Sequence, residues 1–518
     1  MSNSIDQTML LAILPELGLV LLGALVLIVG GFLQGSARKY LGWLTSLGLL
    51  VLIVLSLVFS QPSAESSLVW GSMLHHDWYG LVFRLIFMLG AAITAIFAME
   101  YDYGQKSEFY LLLLTSTMGM NLMASSADLV MLYLAFETAS IPLYVMAGFL
   151  TGSELSVEAG FKYLVFGAMS SALMLFGFSL AYGFSGVTNL ADLASSVGQS
   201  GFPLSAALVS MLFILIGFSF KISAFPFHFW APDIYQGAAT PVSGFLSTAS
   251  KAAGFSVLLR VIFLIFPTLA DHWQLILGII SALTMTIGNI IALTQKDIKR
   301  MLAYSSIAHA GYILIGVSAG TSFGVGSAVF YIGVYLLTNL AAFGAVTLAG
   351  EETGSFAIAD LDGLSRRSPS LALVTLVAFL SLAGMPPFGG FIAKVLVFAA
   401  GVENGMLWLV VVGALNSIIG LYYYLIVLKH IYLYLPQDGA PSLILPKPAF
   451  ATLAVLSIGI IVIGTVFGPW YQWALTAARN LFRHGRECCW LITSTCDKIP
   501  LIWWTKRTRS NRNHMPAY

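Results

Sequence analysis

The run Leu41–Ser60 carries no charged side chain, and blocks of this kind recur from one end of the chain to the other. At 1.5 Å of rise per residue, about twenty apolar residues cross the roughly 30 Å of hydrocarbon in a bilayer. A window of about 19 residues predicts about 14 spans, near residues 9–33, 41–60, 77–99, 108–126, 127–150, 159–184, 204–234, 241–266, 273–295, 301–320, 326–350, 371–402, 405–433 and 449–475. The predicted class is therefore an all-α polytopic membrane protein. The first apolar block lacks a basic n-region and reads as a first span rather than a cleaved signal.

Two of the long spans contain prolines near their middles, Pro226 in the seventh and Pro386–Pro387 in the twelfth. Proline removes a backbone donor and clashes with the carbonyl four residues back, which predicts two discontinuous helices. In hydrocarbon, freed backbone groups are tolerated only where protein or a water-filled cavity satisfies them. Pro226 and Pro387 lie 161 residues apart, about five spans, as two inverted five-helix repeats require. The repeats would cover about residues 108–266 and 273–433. Two unrelated kinks would leave the same prolines.

Composition narrows the class of function. Hydrophobic residues make up 58% of the 518 and charged residues 9%, against about 25% charged in a soluble domain. With 24 basic and 23 acidic residues the net charge is +1, so no global field attracts nucleic acid. The sequence holds no phosphate loop, dinucleotide fingerprint or HExxH, and its three cysteines, Cys488, Cys489 and Cys496, form no CxxC pair. Redox chemistry, if any is coupled to this chain, is expected in other chains. With the N-terminus outside, Arg38, Lys39, Lys106, Lys296, Lys299, Arg300, Arg366, Arg367, Lys429 and Lys447 fall in inside loops, as the charge rule for membrane loops demands. Residues 1–482 read as one transmembrane domain, and 483–518 as a basic, Cys- and Trp-containing tail.

An ionisable side chain in a bilayer costs at least about 2.5–3.5 kcal/mol on insertion scales and marks a functional position by default. Glu137 is the one carboxylate placed well inside a span, with Pro142 five residues on loosening the backbone beside it. Lys221 lies five residues before Pro226, and Lys251 follows Ser243 and Ser247 at spacings of four, on one helical face. Lysine is a side chain whose charge responds readily to burial and to a moving partner. His309 shares a polar stripe with Ser305 and Tyr312 and is suited to a proton relay. Lys394 stands seven residues past Pro387. Structural ion pairs, a helix-packing histidine or snorkelling to the interface are the competing readings, snorkelling above all for Lys162 at the start of its helix and for Arg84 and Arg260 near span ends. His228, Trp230 and Asp233 after the first break line a cavity mouth or anchor an interface.

Five stretches, in order, resemble the antiporter-like membrane-arm subunits of respiratory complex I. They are Tyr133 to Tyr144 (YLAFETASIPLY), Phe220 to Gly237 (FKISAFPFHFWAPDIYQG), Thr248 to Lys251 (TASK), Lys299 to His309 (KRMLAYSSIAH) and Gly384 to Lys394 (GMPPFGGFIAK). The wording from Pro232 to Gly237 and the early Leu14-Pro-Glu-Leu17 most resemble the bacterial subunit N branch, the counterpart of mitochondrial subunit 2. The resemblance spans about residues 10 to 475. It implies 14 transmembrane helices with two inverted five-helix repeats, and proton translocation coupled to NADH oxidation by quinone. By motif position, Glu137 matches the family's glutamate of helix 5, Lys221 the lysine of broken helix 7 and Lys251 that of helix 8. Lys394 matches the basic residue of broken helix 12, and Lys162 and His309 match further members of the polar axis. NADH, flavin, iron–sulfur clusters and quinone would belong to partner subunits, with no cofactor and no direct NADH binding here. The partners implied are the other membrane-arm subunits and the lipid bilayer, the location a bacterial plasma membrane. The mechanism implied pairs Glu137 with Lys221, then passes the proton through Lys251 and His309 to Lys394. A multisubunit cation/proton antiporter and a non-pumping scaffold are the alternatives, and neutral replacement of Lys394 separates the scaffold from a pump.

Overall fold

The computed structural model of the protein describes residues 7–62, 67–199, 201–436, 443 and 445–489. A short α1 (Gln7–Ala12) leads into α2 (Leu14–Phe32) and α3 (Tyr40–Phe59). An antiparallel hairpin, β1 (Ser67–Val69) and β2 (Leu74–His76), precedes α4 (Trp78–Ala98). Then come α5 (Ser107–Ser125), α6 (Leu129–Ala147), α7 (Glu154–Ser185), α8 (Leu190–Ser196), α9 (Leu204–Ile222) and α10 (Trp230–Gly237). α11 (Thr240–Phe245) passes through a π turn, Leu246–Ser250, into α12 (Lys251–Ile265). The chain continues through α13 (Ala270–Ala292), α14 (Ile298–Ser318), α15 (Ser322–Thr353), the one-turn α16 (Leu364–Arg367), α17 (Pro369–Ala383), α18 (Gly389–Glu403), α19 (Leu407–Tyr432), α20 (Lys447–Thr465) and α21 (Gly468–Cys489).

Among the described residues, 12 helical segments are long and apolar enough to cross a membrane. The two predicted spans that fall short still coincide with helices. Span 108–126 is α5, whose hydropathy is lowered by Thr115, Ser116, Thr117 and Asn121, and span 371–402 is split into α17 and α18. Burial separates the helices by role. The segment Thr240–Ile265 is wholly enclosed, and α14 and α15 nearly so, whereas only about a third of α19 and α20 is covered. Leu21, Ile418 and Val455 on the outer helices are more than half exposed, the distribution expected where lipid rather than water is the solvent.

Helix starts are fixed by aspartates. Asp128 caps α6 by accepting from Val130 N at 2.8 Å, and Asp297 caps α14 from Arg300 N at 2.9 Å. Beside each cap, backbone bonds tie the helix start to the loop that follows a 32-residue helix: Leu129 N to Thr188 O after α7, and Ile298 N to Phe356 O after α15, both 2.9 Å. Gly186 (φ 73°) and Gly354 (φ 68°) end those long helices in the left-handed conformation that glycine adopts freely.

Both expected breaks are present. α9 stops at Ser223 (φ 59°) and helix resumes at Trp230; α17 stops at Gly384 (φ 84°) and helix resumes at Gly389. The freed groups are met by protein: Trp230 Nε1 donates to Phe220 O at 3.0 Å, Thr284 Oγ1 accepts from Phe225 N at 3.0 Å, and Ser381 Oγ from Gly390 N at 3.1 Å.

Three expectations change. α6 runs unbroken through Pro142, and α5 packs tightly against that turn, with Ser116 Oγ donating to Ala139 O at 2.9 Å and Gly119 set against the backbone of Thr138 and Ala139. The span expected over 449–475 ends at Thr465, because Pro469 cannot prolong it. The chain turns into α21, whose Ala474, Ala477, Ala478 and Leu481 are buried in a helix that packs on α15, α4 and α12. The side chains of 483–489 and all of 490–518, which hold the cysteines and the basic tail, lie outside the described residues. Finally, Arg84 and Arg260 do not snorkel. Arg84 Nε sits 3.0 Å from Glu16 Oε1, a second carboxylate inside a span, and Arg260 clasps both oxygens of Asp77 at 3.0 and 3.1 Å with both side chains fully enclosed.

The Arg260–Asp77 pair binds α12 to the N-cap of α4. Burial opposes ionisation of Asp77, but the adjacent guanidinium prevails and holds the carboxyl below its usual range. Stability from the ionised aspartate is therefore complete above the ordinary unfolded value of about 4 and lost only as pH falls below it. Arg260→Ala strands a buried carboxylate, at a cost of about 3–5 kcal/mol. The expected result is loss of the subunit from membranes at growth temperature, read by immunoblot, with Asp77→Ala/Arg260→Ala less affected than either single change.

Candidate functional site

Glu137 and Lys221 face each other across α6 and α9 but do not form the expected ion pair. Glu137 Oε1 accepts from Ser171 Oγ of α7, while Lys221 Nζ donates to Ser140 Oγ at 2.8 Å. Ser140 is one turn beyond Glu137 on α6, so the lysine meets α6 at a serine rather than at the carboxylate. Lys221 is 1% exposed, and its ammonium lies 5.1 Å from the Phe136 ring centroid. Its stem packs on α12 at Gly254, where a Cβ would come within 3.1 Å of Lys221 Cγ.

One turn back along α12 stands Lys251, directly after the π turn. Its ammonium donates to Ser306 Oγ at 2.8 Å and Ser306 O at 3.0 Å, reaching across to α14. A small cavity bordered by Thr248, Ser306, Ala310 and Tyr335 lies against it, with room for about one water molecule. Single π turns interrupt α-helices frequently at functional positions.

His309 follows Ser306 by one turn of α14. Its ring nitrogens contact Tyr331 OH of α15 at 2.8 Å and Tyr424 OH of α19 at 3.2 Å, and Ser305 of the same helix bonds Tyr424. The Tyr312 ring lies 5.8 Å from His309 and 5.0 Å from the Lys394 ammonium. Lys394 Nζ donates to Ser417 Oγ of α19 and to Ala383 O, the last carbonyl of α17, both at 2.9 Å. That seat satisfies a helix end with a cation, as the helix dipole favours. Gly384 makes room for it, since a Cβ there would come within 2.8 Å of Lys394 Cδ at a backbone angle that other residues seldom adopt.

Five of the six expected residues thus lie along one line, four of them buried and Glu137 half-buried. The sixth does not. Lys162 is 34% exposed at its side chain and pairs with Glu158 at 2.7 Å and Asp233 at 2.8 Å, outside the line. Its place near the start of a lipid-exposed helix leaves it facing a partly solvated carboxylate. Trp230 is buried, stacked 4.7 Å from Tyr163, and His228 is buried beside it, so neither is an interfacial anchor. The serines that seat the lysines went unremarked in the sequence. Ser140, at i+3 from Glu137, and Ser306, at i−3 from His309, carry a same-face signal; Ser417 carries none. Among the described residues no group of three His, Cys, Asp or Glu side chains has metal-binding geometry.

A profile described as "NADH:quinone oxidoreductase/Mrp antiporter, TM" matches residues 126–420, a stretch that contains both breaks and all six expected site residues. The chain belongs to this family. NADH:quinone oxidoreductase/Mrp antiporter members similar to it include the NADH-quinone oxidoreductase subunit N of Moorella thermoacetica, 39% identical over 90% of this chain and 96% of that protein. The chloroplastic NAD(P)H-quinone oxidoreductase subunit 2 of Mesostigma viride is 42% identical over 81% of this chain and 84% of its own. A chain of respiratory complex I from Thermus thermophilus, solved with bound aureothin, superposes with a TM-score of 0.75 at 33% identity, covering 89% of this chain and 99% of that one. A chain of the Mrp complex from a Dietzia species shares the fold, with a TM-score of 0.84 at 20% identity over 94% of this chain and 99% of its own. As a member of this family the protein is a multi-pass membrane protein, and the buried line lies within residues 126–420.

Proposed function

We propose that this chain is a proton-translocating membrane subunit of an NADH:quinone oxidoreductase, seated in a bacterial plasma membrane. The observation that carries the reading is the buried line of titratable side chains from Lys221 through Lys251 and His309 to Lys394, in a family whose named relatives are subunits of that enzyme. The electron-carrying groups, NADH, flavin, iron–sulfur clusters and quinone, are assigned to partner subunits, and no redox step is assigned to this chain.

In the proposed cycle, a change of charge in a neighbouring subunit reaches Glu137 and alters how strongly the Lys221 ammonium is held, a coupling between sites. Ser140, on the same helix as Glu137, is the group the ammonium meets. The proton leaves Lys221 for Lys251, passes by Ser306 and the small cavity to His309, and crosses the Tyr331–Tyr424–Tyr312 cluster to Lys394. Lys162 acts outside this line. The fold proposed is 14 transmembrane helices with inverted repeats over about 108–266 and 273–433. Supporting the repeat are the matched aspartate caps of α6 and α14, the equal lengths of α7 and α15 with their left-handed glycine ends, and the two breaks.

The test is gentle solubilisation of the native membrane, capture on this subunit, and assay of what is recovered after reconstitution. Recovery in a large flavin- and iron–sulfur-containing assembly that oxidises NADH with quinone and acidifies one side of a vesicle is the expected outcome. Recovery with small hydrophobic partners, no redox activity and sodium-dependent proton flux would transfer the chain to the antiporter branch.

A further inference from the structure

Asp233 belongs to no part of the proton line, yet its two carboxylate oxygens each hold a cation from a different helix. Oδ2 takes Lys162 of α7 at 2.8 Å, and Oδ1 takes Arg300 of α14 at 2.7 Å. Arg300 also donates to Gln236 Oε1 at 2.9 Å, and Lys299 donates to Ala238 O at 2.7 Å. From its first turn, at Asp233, to the residue after its end, Ala238, α10 is thus fastened by charged side chains to α7 and α14, on the face the basic loops mark as inner.

α10 is an eight-residue rod. On one side lies the non-helical break, residues 223–229; on the other the chain leaves in extended form at Ala238. A short rigid element between two non-helical links is built to tilt as a unit, as hinged elements do. Two residues along from Asp233, the same rod presents Tyr235, fully buried, with the Lys251 ammonium 6.0 Å from its ring centroid. One face of the rod is open: Asp233 and Lys162 are 38% and 34% exposed at their side chains and Arg300 28%. The other face closes over a lysine that is 3% exposed.

We propose that the Asp233 cluster is a latch on α10 that controls access of water, and so of protons, from the inner face to Lys251. Closed, the latch seats Tyr235 over Lys251. Released, α10 swings on its two links and opens the way to the small cavity at Ser306. Partly exposed ion pairs contribute little each and are weakened by salt, which suits a closure that must open in every cycle; an enclosed pair such as Arg260–Asp77 would not release. Asp233 also stands seven residues after Pro226, as Lys394 stands seven after Pro387, so one position along the two broken helices carries the latch in one half and the buried lysine in the other. Asp233 is here a positioning residue, and the inference rests on the proposed role of Lys251.

Hydrogen exchange of the intact complex in nanodiscs tests this directly. Loss of both pairs in Asp233→Asn is expected to raise amide exchange across residues 230–237 by about tenfold, while Asp233→Glu, which keeps both pairs, restores wild-type protection. High salt should raise exchange there in the wild type and leave Asp233→Asn unchanged, a readout that needs no variant to assemble. Proteoliposomes with Asp233→Asn should also lose an imposed proton gradient faster than those with Asp233→Glu. Equal exchange in all three proteins at low and high salt overturns the latch. Loss of pumping in Asp233→Asn with α10 fully protected also overturns it, because that is the signature of a proton carrier. Should Lys221 and Lys394 variants pump normally, the functional reading fails by itself, and the exchange of α10 still reports on the latch.

Discussion

Replacing Lys221 with alanine lowers proton translocation about a hundredfold, the scale expected when a positioned proton-transfer group is removed, while leaving the subunit in the membrane. The structural reason is the independence of its neighbours. Ser140 Oγ donates to Phe136 O at 2.7 Å whether or not the lysine is present, and Glu137 keeps Ser171. The substitution therefore removes an enclosed ammonium without stranding a partner, and the loss falls on function rather than folding. The measurement is protons moved per NADH in proteoliposomes, with immunoblotting of the assembled complex. Normal proton stoichiometry in a fully assembled complex would falsify the role given to Lys221.

Lys394→Met is expected to reduce pumping to a comparable degree and separates a pump from a scaffold. Methionine is close to lysine in length and shape, so the packing beside Gly384 and Tyr312 persists. The carbonyl of Ala383 loses its donor, a penalty of about 1–3 kcal/mol that a subunit held by many helix contacts withstands. A scaffold would show normal assembly and normal turnover. A pump would assemble normally and stall, with NADH oxidation slowed and quinone reduction no longer accompanied by acidification.

Much of this was legible from residue order, for identifiable physical reasons. Apolar blocks and two proline breaks are one-dimensional signals, and the helices and both interruptions follow them. Lys221, Lys251, His309 and Lys394 stand out because charge inside hydrocarbon is costly wherever it sits. What the sequence could not supply is partnership across distance. Glu137 and Lys221, opposite in charge, read as a natural pair, yet the backbone of α6 places Ser140 at the lysine. Arg84 and Arg260 read as terminal charges because their carboxylates, Glu16 and Asp77, lie 68 and 183 residues away in the chain. Lys162 matched the axis by motif position, but its side chain leaves α7 on the exposed face, toward Asp233. Pro142 read as loosening the backbone beside Glu137, yet α6 runs on through it with α5 packed close against that turn.

Lys221, Lys251 and Lys394 rest on serine hydroxyls, not carboxylates. An ammonium bound to a carboxylate in a dry interior sits in a deep well, and a proton can leave only when two opposite charges are pulled apart. A hydroxyl is a shallower seat, because it accepts the charge without countering it and can turn to donate once the proton has gone. Three such seats in series form a staircase with low, similar risers, on which no single station detains the traveller. Traffic along it is then timed by the wetting of the gaps between landings, and a carboxylate introduced at Ser140, Ser306 or Ser417 would turn a landing into a pit.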